Sequence, residues 1–355
     1  MSGKKRIMNI KRNIALVLSL VLCSIATAHD FVVTIDGQKV YFDIKNEKKK
    51  TAIITYKGSI KEHTPTYFVG ELFIPQKVKH NNKIYTVVGI NAKAFSGADK
   101  LTGITMPTGI STIGDFAFEG CTSLEKVIFP GNAVKMGEGI FYKCDKIKNI
   151  SIGSDWTSIN FHLFRWSDSL RTITIPAKIE QIKNIKALKH LEKINVDNNN
   201  ARFSNVDGVL YNKNKETLYC CPRAYKGEVK VAEGTKNITS GALIDCKEVT
   251  FIDFPESLAT MSFKELSRNE NLDEIIFRST TPIKTAKKGK QEVFLLQVKN
   301  TDIKITVNKK SRDIYKQELI QEEGEYTELN GTTPFLVEKS NIVPSKNIRG
   351  IKDLP

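Results

Sequence analysis

The stretch Cys121-Thr-Ser-Leu-Glu-Lys-Val-Ile-Phe-Pro130 decides the fold, because the chain repeats its pattern several times. A small residue is followed by apolar residues three, six and eight positions later, and then usually by Pro or Gly. Copies end at Pro107, Pro130, Gly153, Pro176, Asp197 (a looser copy), Pro255 and Arg278. The three successive steps from Pro107 through Pro130 and Gly153 to Pro176 are each 23 residues, as is the step from Pro255 to Arg278. A fixed period of this length predicts a solenoid, since one unit buries its apolar face only against stacked neighbours.

The bulk composition is that of a globular protein with a mild excess of lysine. The chain has 355 residues, 40% of them hydrophobic, and a formal net charge of +15. This length is ample for a hydrophobic core. No Arg-rich run or aromatic-basic motif typical of a nucleic-acid reader is present, so we expect a solvated, Lys-rich surface and no nucleic-acid partner.

Residues 1–28 have the pattern of a secretory signal peptide. A positively charged segment precedes the apolar run from Ile14 to Leu22, and Ala26-Thr-Ala28 forms a small-x-small cleavage site. The alternative is a lipoprotein acylated at Cys23, but Leu22 occupies the position where lipid-attachment sites carry a small residue. We therefore expect cleavage after Ala28 and an exported chain, secreted or at the cell surface, with a periplasmic location also open. No later segment is long and apolar enough to span a membrane.

The segment that follows, residues 29–83, predicts a small N-terminal β cap. Apolar and polar residues alternate from Phe31 to Ile44 on both sides of Asp36-Gly37, a strong hairpin signal. Further strands are predicted at 51–56 and 67–74. A solenoid needs such a cap because its terminal coil otherwise exposes core to water.

Each repeat predicts one strand and one return segment. The Leu-x-x-Ile-x-Ile-Pro portion alternates with period two, and its Pro ends the strand. The preceding stretch, as in residues 114–121, predicts a turn or short helix on the outer side. Seven such strands form a parallel sheet about 30 Å long. A parallel β-helix, with several strands in each coil, is the alternative architecture and can carry sugar-cleaving sites.

At these residues the chain resembles the BspA-like, or Treponema-type, leucine-rich repeat, which is common on exported proteins of Bacteroides-type bacteria. The resemblance is carried by residues 113–130, by Asp207-Gly-Val-Leu-Tyr-Asn-Lys213 as an inserted hairpin, and by Ile303-Lys-Ile-Thr-Val-Asn308 as a closing strand. It implies a strand-rich α/β solenoid, wound as a right-handed superhelix with a parallel sheet. It also implies a surface protein used in binding and adhesion, and not an enzyme.

The remaining organisation follows from breaks in the period. Residues 84–278 are the predicted repeats, and the insertion at about 197–230 contains Val209–Tyr211 and Thr217–Cys220, which can pair as a hairpin. Residues 279–355 are the closing unit and tail. We expect a monomer.

The sequence predicts neither a cofactor nor a metal site. Five cysteines follow the leader, and no CxxC pair or Cys/His cluster is present. Cys121 and Cys144 share one repeat position, so the choice is between free thiols in a ladder and a bridge between adjacent coils. Free thiols are favoured, because stacked side chains point in parallel rather than at each other. No Ser/His/Asp grouping, phosphate loop or paired-carboxylate motif emerges.

The strand face is the predicted binding surface. Two residues of each coil project from it, because strand side chains alternate. They are Gly103 and Thr105, Lys126 and Ile128, Asn149 and Ser151, Thr172 and Thr174, Lys193 and Asn195, Phe251 and Asp253, and Glu274 and Ile276. Phe251 is the one large aromatic residue in this set, and an exposed aromatic beside polar groups is a plausible anchor.

The candidate ligand-binding residues are therefore Lys126, Ile128, Thr172, Thr174, Lys193 and Phe251. The predicted ligand is a protein or glycan of a host or of a neighbouring cell. Two alternatives remain: a structural surface component without a discrete ligand, and a glycan-processing β-helix enzyme.

Overall fold

The computed structural model describes residues 29–57, 68–280, 304–307 and 342–344. The predicted signal peptide and most of the predicted closing unit lie outside these residues. The strands are β1 (Phe31–Ile35), β2 (Gln38–Asn46), β3 (Thr51–Thr55), β4 (Val69–Phe73), β5 (Lys77–His80), β6 (Lys83–Ile90), β7 (Lys100–Thr105), β8 (Thr112–Ile113), β9 (Lys126–Ile128), β10 (Lys135–Met136), β11 (Asn149–Ser151), β12 (Ser158–Asn160), β13 (Thr172–Ile175), β14 (Gln181–Lys183), β15 (Lys193–Val196), β16 (Phe203–Val206), β17 (Val209–Asn212), β18 (Thr217–Cys220), β19 (Gly227–Lys230), β20 (Asn237–Ile238), β21 (Val249–Phe254), β22 (Glu274–Phe277), β23 (Lys304–Val307) and β24 (Ile342–Pro344). Three 3₁₀ helices span Phe161–Phe164, Ile185–Ala187 and Phe263–Leu266.

The N-terminal cap begins with the predicted hairpin. β1 and β2 pair antiparallel across Asp36 and Gly37, whose φ angles are 48° and 77°. β3 extends this sheet and pairs in parallel with β6, while β5 and β6 form a second hairpin. β4 leaves this sheet and pairs in parallel with β7, with Leu72 beside Ile104. The strand that we assigned to the cap is therefore the first strand of the solenoid face.

Each regular coil contains two strands, so the expectation of one strand per coil is wrong. The second strand is only two or three residues long, and it stacks on its counterparts in parallel, as β8 does on β6 and β10. Ile113 of β8 is buried, whereas Thr112 beside it is half-buried. Two residues carry too little alternation to be distinguished from a turn in the sequence.

The return segments are turns whose backbone groups bond from coil to coil. The amide of Phe95 donates to the carbonyl of Ala117, and that of Phe118 donates to the carbonyl of Ile140. These donors are used between coils, so an α-helix does not form here. The short helix that the sequence also allowed in the return segments occurs in the described residues as the three 3₁₀ helices.

Phenylalanines form a ladder through the core, and four of them share one repeat position while Phe68 joins from the preceding coil. The rings of Phe68, Phe95, Phe118, Phe141 and Phe164 follow one another with centroid separations of 4.9, 5.0, 5.4 and 5.2 Å. All five are buried. Aromatic contacts of this kind add to the stabilisation from buried area.

The inserted hairpin divides the solenoid into two cores. β16, β17 and β18 form an antiparallel sheet, which includes the predicted pairing of β17 with β18. Leu210 of β17 packs into the N-terminal core, whereas Val209 and Tyr211 pack into the C-terminal core. The hairpin thus packs between the two cores, and alternate side chains of β17 contact opposite cores.

The strand face is consequently made of three segments and not of one continuous sheet. β4, β7, β9 and β11 form the first segment, β13 and β15 the second, and β19, β21, β22, β23 and β24 the third. The amide of Ile194 in β15 donates to the carbonyl of Gly208, 3.0 Å away, in the hairpin turn. The hairpin therefore occupies the edge of the second segment, where the next repeat would otherwise pair.

The five cysteines of the described residues are free and buried. The thiol of Cys121 lies 3.2 Å from the carbonyl oxygen of Phe95, and that of Cys144 lies 3.0 Å from the carbonyl oxygen of Phe118. Each of these two thiols points to the backbone of the preceding coil, in agreement with the expected ladder of free thiols.

Candidate functional site

The strand register produces two rows of side chains across the first face segment. Glu71, Gly103, Lys126 and Asn149 lie side by side, as do Phe73, Thr105, Ile128 and Ser151. Val127 and Phe129 are buried while Ile128 is half-buried, which confirms the predicted register of β9. The first row continues by the repeat period to Thr172 and Lys193, and the second to Thr174 and Asn195.

The first segment carries an exposed apolar edge that the sequence analysis missed. Phe73 and Val69 of β4 are 52% and 59% exposed, among the few large hydrophobic side chains left open in the described residues. Phe73 lies on the same side of β4 as Glu71, whereas Val69 lies beyond Gly70 (φ 76°), where the register with β7 shifts, so alternation does not place Val69 on that side. Phe251 is therefore not the one large aromatic residue on the face. The motif Leu72-Phe-Ile74-Pro75 carries the signal, because it ends as a repeat strand does.

The charged row beside this edge is held by an ion pair. The ammonium of Lys126 lies 3.1 Å from the carboxylate of Glu71, and both side chains are more than one-third exposed. The pair crosses β7 at Gly103, where an added Cβ would lie 2.8 Å from Cγ of Glu71. A glycine there lets Glu71 lie flat over the strand and reach Lys126.

The second segment presents small polar groups. Thr172, Thr174 and Lys193 are exposed, as predicted, and Asn195 is half-buried. Thr172 lies beside Lys193 and Thr174 beside Asn195. Gly208 of the hairpin packs against the aliphatic part of Lys193, so the hairpin borders the surface at this end.

Phe251 lies beyond the hairpin, on the third segment, and is half-buried. It pairs with Glu228 of β19 on one side and with Glu274 of β22 on the other. The structure therefore brings together five of the predicted residues on the first two segments and separates Phe251 from them. Two further residues of the predicted face are covered, since Asp253 is 6% and Ile276 is 4% exposed. Asp253 is covered because its carboxylate is ion-paired with Arg278.

A polar cluster joins the two halves on another side of the solenoid. Lys186, which precedes the hairpin, donates through Nζ to the carbonyl of Ser240, which follows it. Burial lowers the pKa of Lys186 from its ordinary value. The guanidinium of Arg223 donates to the carbonyl of Lys186 (2.8 Å) and to the carboxylate of Asp245 (2.8 Å). These groups satisfy one another, so we assign them a structural role.

The described residues contain no cluster of three or more His, Cys, Asp or Glu side chains that could hold a metal ion. An open cavity is lined by Asp245, Glu248 and Glu270 among other charged residues. Asp245 and Glu270 are paired with Arg223 and Lys247, at 2.8 and 2.6 Å. This arrangement is that of an ion-pair network and gives no support to a sugar-cleaving pair of carboxylates. None of the described helices has the length and hydropathy of a membrane span.

Comparison with known proteins gives one family. The BspA type Leucine rich repeat region matches residues 88–207 and 214–317, in six copies. No curated protein matches the sequence. Among solved structures, the pneumococcal vaccine antigen PcpA is similar at 18% identity, with 82% of this chain and 97% of that chain covered and a TM-score of 0.45. A leucine-rich repeat protein from Eubacterium ventriosum is similar at 18% identity, with 79% and 88% covered and a TM-score of 0.35.

Proposed function

Because the chain belongs to the BspA-type leucine-rich repeat family, we propose that it is a surface-binding module that takes its ligand on the first two segments of the strand face. One observation carries this proposal: an aromatic ring, Phe73, stands 52% exposed at the end of an uncovered row of side chains. Aromatic side chains, Phe among them, are enriched in the cores of protein interfaces.

The chemistry of the two rows favours an extended protein segment laid across the strands. Phe73 and Ile128 offer apolar contact at one end. Thr172, Thr174 and Asn195 offer hydroxyl and amide groups at the other end. Six strands at about 4.8 Å spacing give a surface about 24 Å long, enough for seven extended residues at about 3.3 Å each. Export to the cell surface, by cleavage after Ala28, completes the proposal.

The first experiment identifies the ligand and tests the face. The chain from His29 onward is screened on an array of extracellular-matrix proteins and glycans, and binding of the ligand found there is measured for variants. Phe73→Ala and Thr174→Arg should each weaken binding at least tenfold without lowering the thermal midpoint, since both side chains are exposed. Loss of an anchor side chain commonly costs about 2 kcal/mol or more.

Two further variants locate the site. Thr122→Arg, at an exposed position on the turn side, is the matched control for the added charge and should bind as the wild type does. Phe251→Ala tests whether the ligand reaches past the hairpin. Full binding by folded Phe73→Ala and Thr174→Arg variants would remove the site from these segments, and loss only in Phe251→Ala would move it to the third segment.

A further inference from the structure

Four side chains on the turn side of the solenoid form an array of rings and cations. Tyr142 and Arg165 occupy one repeat position in adjacent coils, and Lys143 and Trp166 occupy the next. The two rings therefore lie on one diagonal of the array and the two cations on the other. The centroids of Tyr142 and Trp166 are 5.5 Å apart, in an edge-to-face arrangement.

The cations are held on the rings. The guanidinium carbon of Arg165 lies 4.7 Å from the ring centroid of Trp166, and Nζ of Lys143 lies 5.3 Å from that of Tyr142. Nη1 of Arg165 is also 2.8 Å from Nε2 of His162. The guanidinium is thus fixed in orientation before any ligand arrives, which reduces the entropy lost on binding.

Neither cation of the array has a carboxylate partner within ion-pair distance among the residues that the structure describes. Asp168, three residues after Arg165, lies instead 3.5 Å from His190 of the next coil, and Asp145, two residues after Lys143, forms no ion pair with it. Trp166 is 41% exposed, whereas Trp156, the other tryptophan, is 4% exposed. The array therefore exposes two positive charges and one aromatic ring to solvent at the same place.

We propose that this array is a second binding site, separate from the strand face, and that its ligand is an acidic sugar chain. The C–H face of a sugar ring packs on Trp166 and Tyr142, as apolar groups do on aromatic faces. The carboxylate of the same sugar pairs with Arg165, whose planar fork matches a carboxylate, and with Lys143. Both kinds of contact are needed, because a neutral sugar leaves the cations unused and a simple anion leaves the rings unused.

A charged cavity continues the site along the same corner of the solenoid. It has a volume of about 690 Å³, and its lining mixes cations with the acidic residues Asp245, Glu248 and Glu270. Arg223 and Lys247 are paired with Asp245 and Glu270, whereas Lys189 and Arg268 have no ion pair among the described residues. The contact between the side chains of Asp168 and His190 connects the edge of the cavity to the coil of Trp166. A polar cavity of this size has room for more than one sugar unit, which favours a chain over a monosaccharide.

Intrinsic fluorescence gives a direct test, because the protein has two tryptophans. Trp156 is 4% exposed and donates its indole N–H to the carbonyl of Asn132, so it supplies a constant background. The probes are hexasaccharides of uronic acid, of sialic acid and of sulfated sugar, with the methyl ester of the uronic hexamer as the uncharged match. We expect at least one acidic hexamer to change the emission of Trp166 and to bind at least tenfold more tightly than the ester.

Variants separate the site from general electrostatic attraction. Trp166→Ala should abolish binding measured by calorimetry, and Arg165→Gln should weaken it at least tenfold. Phe73→Ala on the strand face should leave it unchanged, which keeps this proposal distinct from the preceding one. Absence of binding by all three acidic hexamers, equal binding of the ester, or full binding by Trp166→Ala would overturn the proposal.

Discussion

The rings of Phe95 and Phe118 are stacked with their centroids 5.0 Å and their planes 2° apart, although 23 residues separate them along the chain. This is the geometry of two adjacent coils in register. It repeats through the N-terminal core, whereas the C-terminal core has its own stack of Phe254 and Phe277, with centroids 5.0 Å apart. The inserted hairpin lies between these two systems.

We expect the two cores to lose structure independently. Phe118→Ala should cost about 3–5 kcal/mol of stability, as truncation of other buried Phe residues does, and the loss should fall on the N-terminal half. Phe254→Ala is the matched change in the other half. Hydrogen exchange measured by mass spectrometry should show faster exchange mainly before residue 200 in the first variant and after residue 227 in the second. A uniform increase in both halves would show that the hairpin couples the cores into one cooperative unit.

A second prediction concerns the strand register of β9. Phe129→Ala should lower the free energy of unfolding by about 3–5 kcal/mol, because the ring is buried against Trp156 and Phe141. Ile128→Ala, a neighbouring truncation on the half-buried side, should cost less than half as much. Chemical denaturation of both variants checks this, and equal losses would contradict the assigned faces.

The ion pair between Asp253 and Arg278 should be more important for stability than the exposed pairs. Nε of Arg278 donates to Oδ1 of Asp253 at 2.7 Å, and this contact raises the pKa of Arg278. Asp253→Asn should cost about 1–3 kcal/mol, because it leaves a largely covered guanidinium without its counter-charge. Asp155→Asn removes the exposed pair with Lys178 and should change stability by less than about 1 kcal/mol. Thermal denaturation of the two variants at one ionic strength gives the comparison.

Alkaline pH should destabilise the fold through its buried thiols. Burial raises the pKa of Cys220 to about 12, whereas an unfolded thiol titrates at about 8.5. Between these values the folded state binds more protons than the unfolded state, so stability is full below pH 8.5 and falls as the pH rises. At pH 10 this thiol alone accounts for a loss of about 2 kcal/mol.

The Cys220→Ala variant tests the assignment to this thiol. Its unfolding free energy should decline less steeply than that of the wild type between pH 8.5 and 10. The slopes of the two proteins should agree between pH 6 and 8, where the thiol is protonated in both states. Identical slopes above pH 8.5 would assign the alkaline loss to other groups, such as Tyr211, whose pKa burial also raises.

The repeat period predicted the parts of the fold that depend on local alternation. The faces of Val127, Ile128 and Phe129 follow from period two, and the parallel stacking follows from the recurrence of the same pattern. The second strand of each coil was not predicted, because two residues such as Thr112 and Ile113 have no pattern of their own. They become a strand only when neighbouring coils supply hydrogen-bond partners.

The candidate site was predicted in part for the same reason. Lys126, Ile128, Thr172, Thr174 and Lys193 share a surface because they share repeat positions. Phe73 was missed because Pro75 precedes Pro107 by more than one period, so the first strand of the face does not fall on the 23-residue count. Phe251 was grouped with the others because the sequence shows that the hairpin is inserted but not that it stands between the sheet segments.

The two-sided hairpin has a consequence for how such a protein can change in length. β17 presents Leu210 to one half and Tyr211 to the other. Each half therefore packs against the same strand, whatever its number of coils. Duplication or deletion of one 23-residue unit on either side shifts the distant end by about 4.8 Å and leaves this junction intact. Evolution can therefore lengthen the strand face on one side of the hairpin while the other side keeps its dimensions.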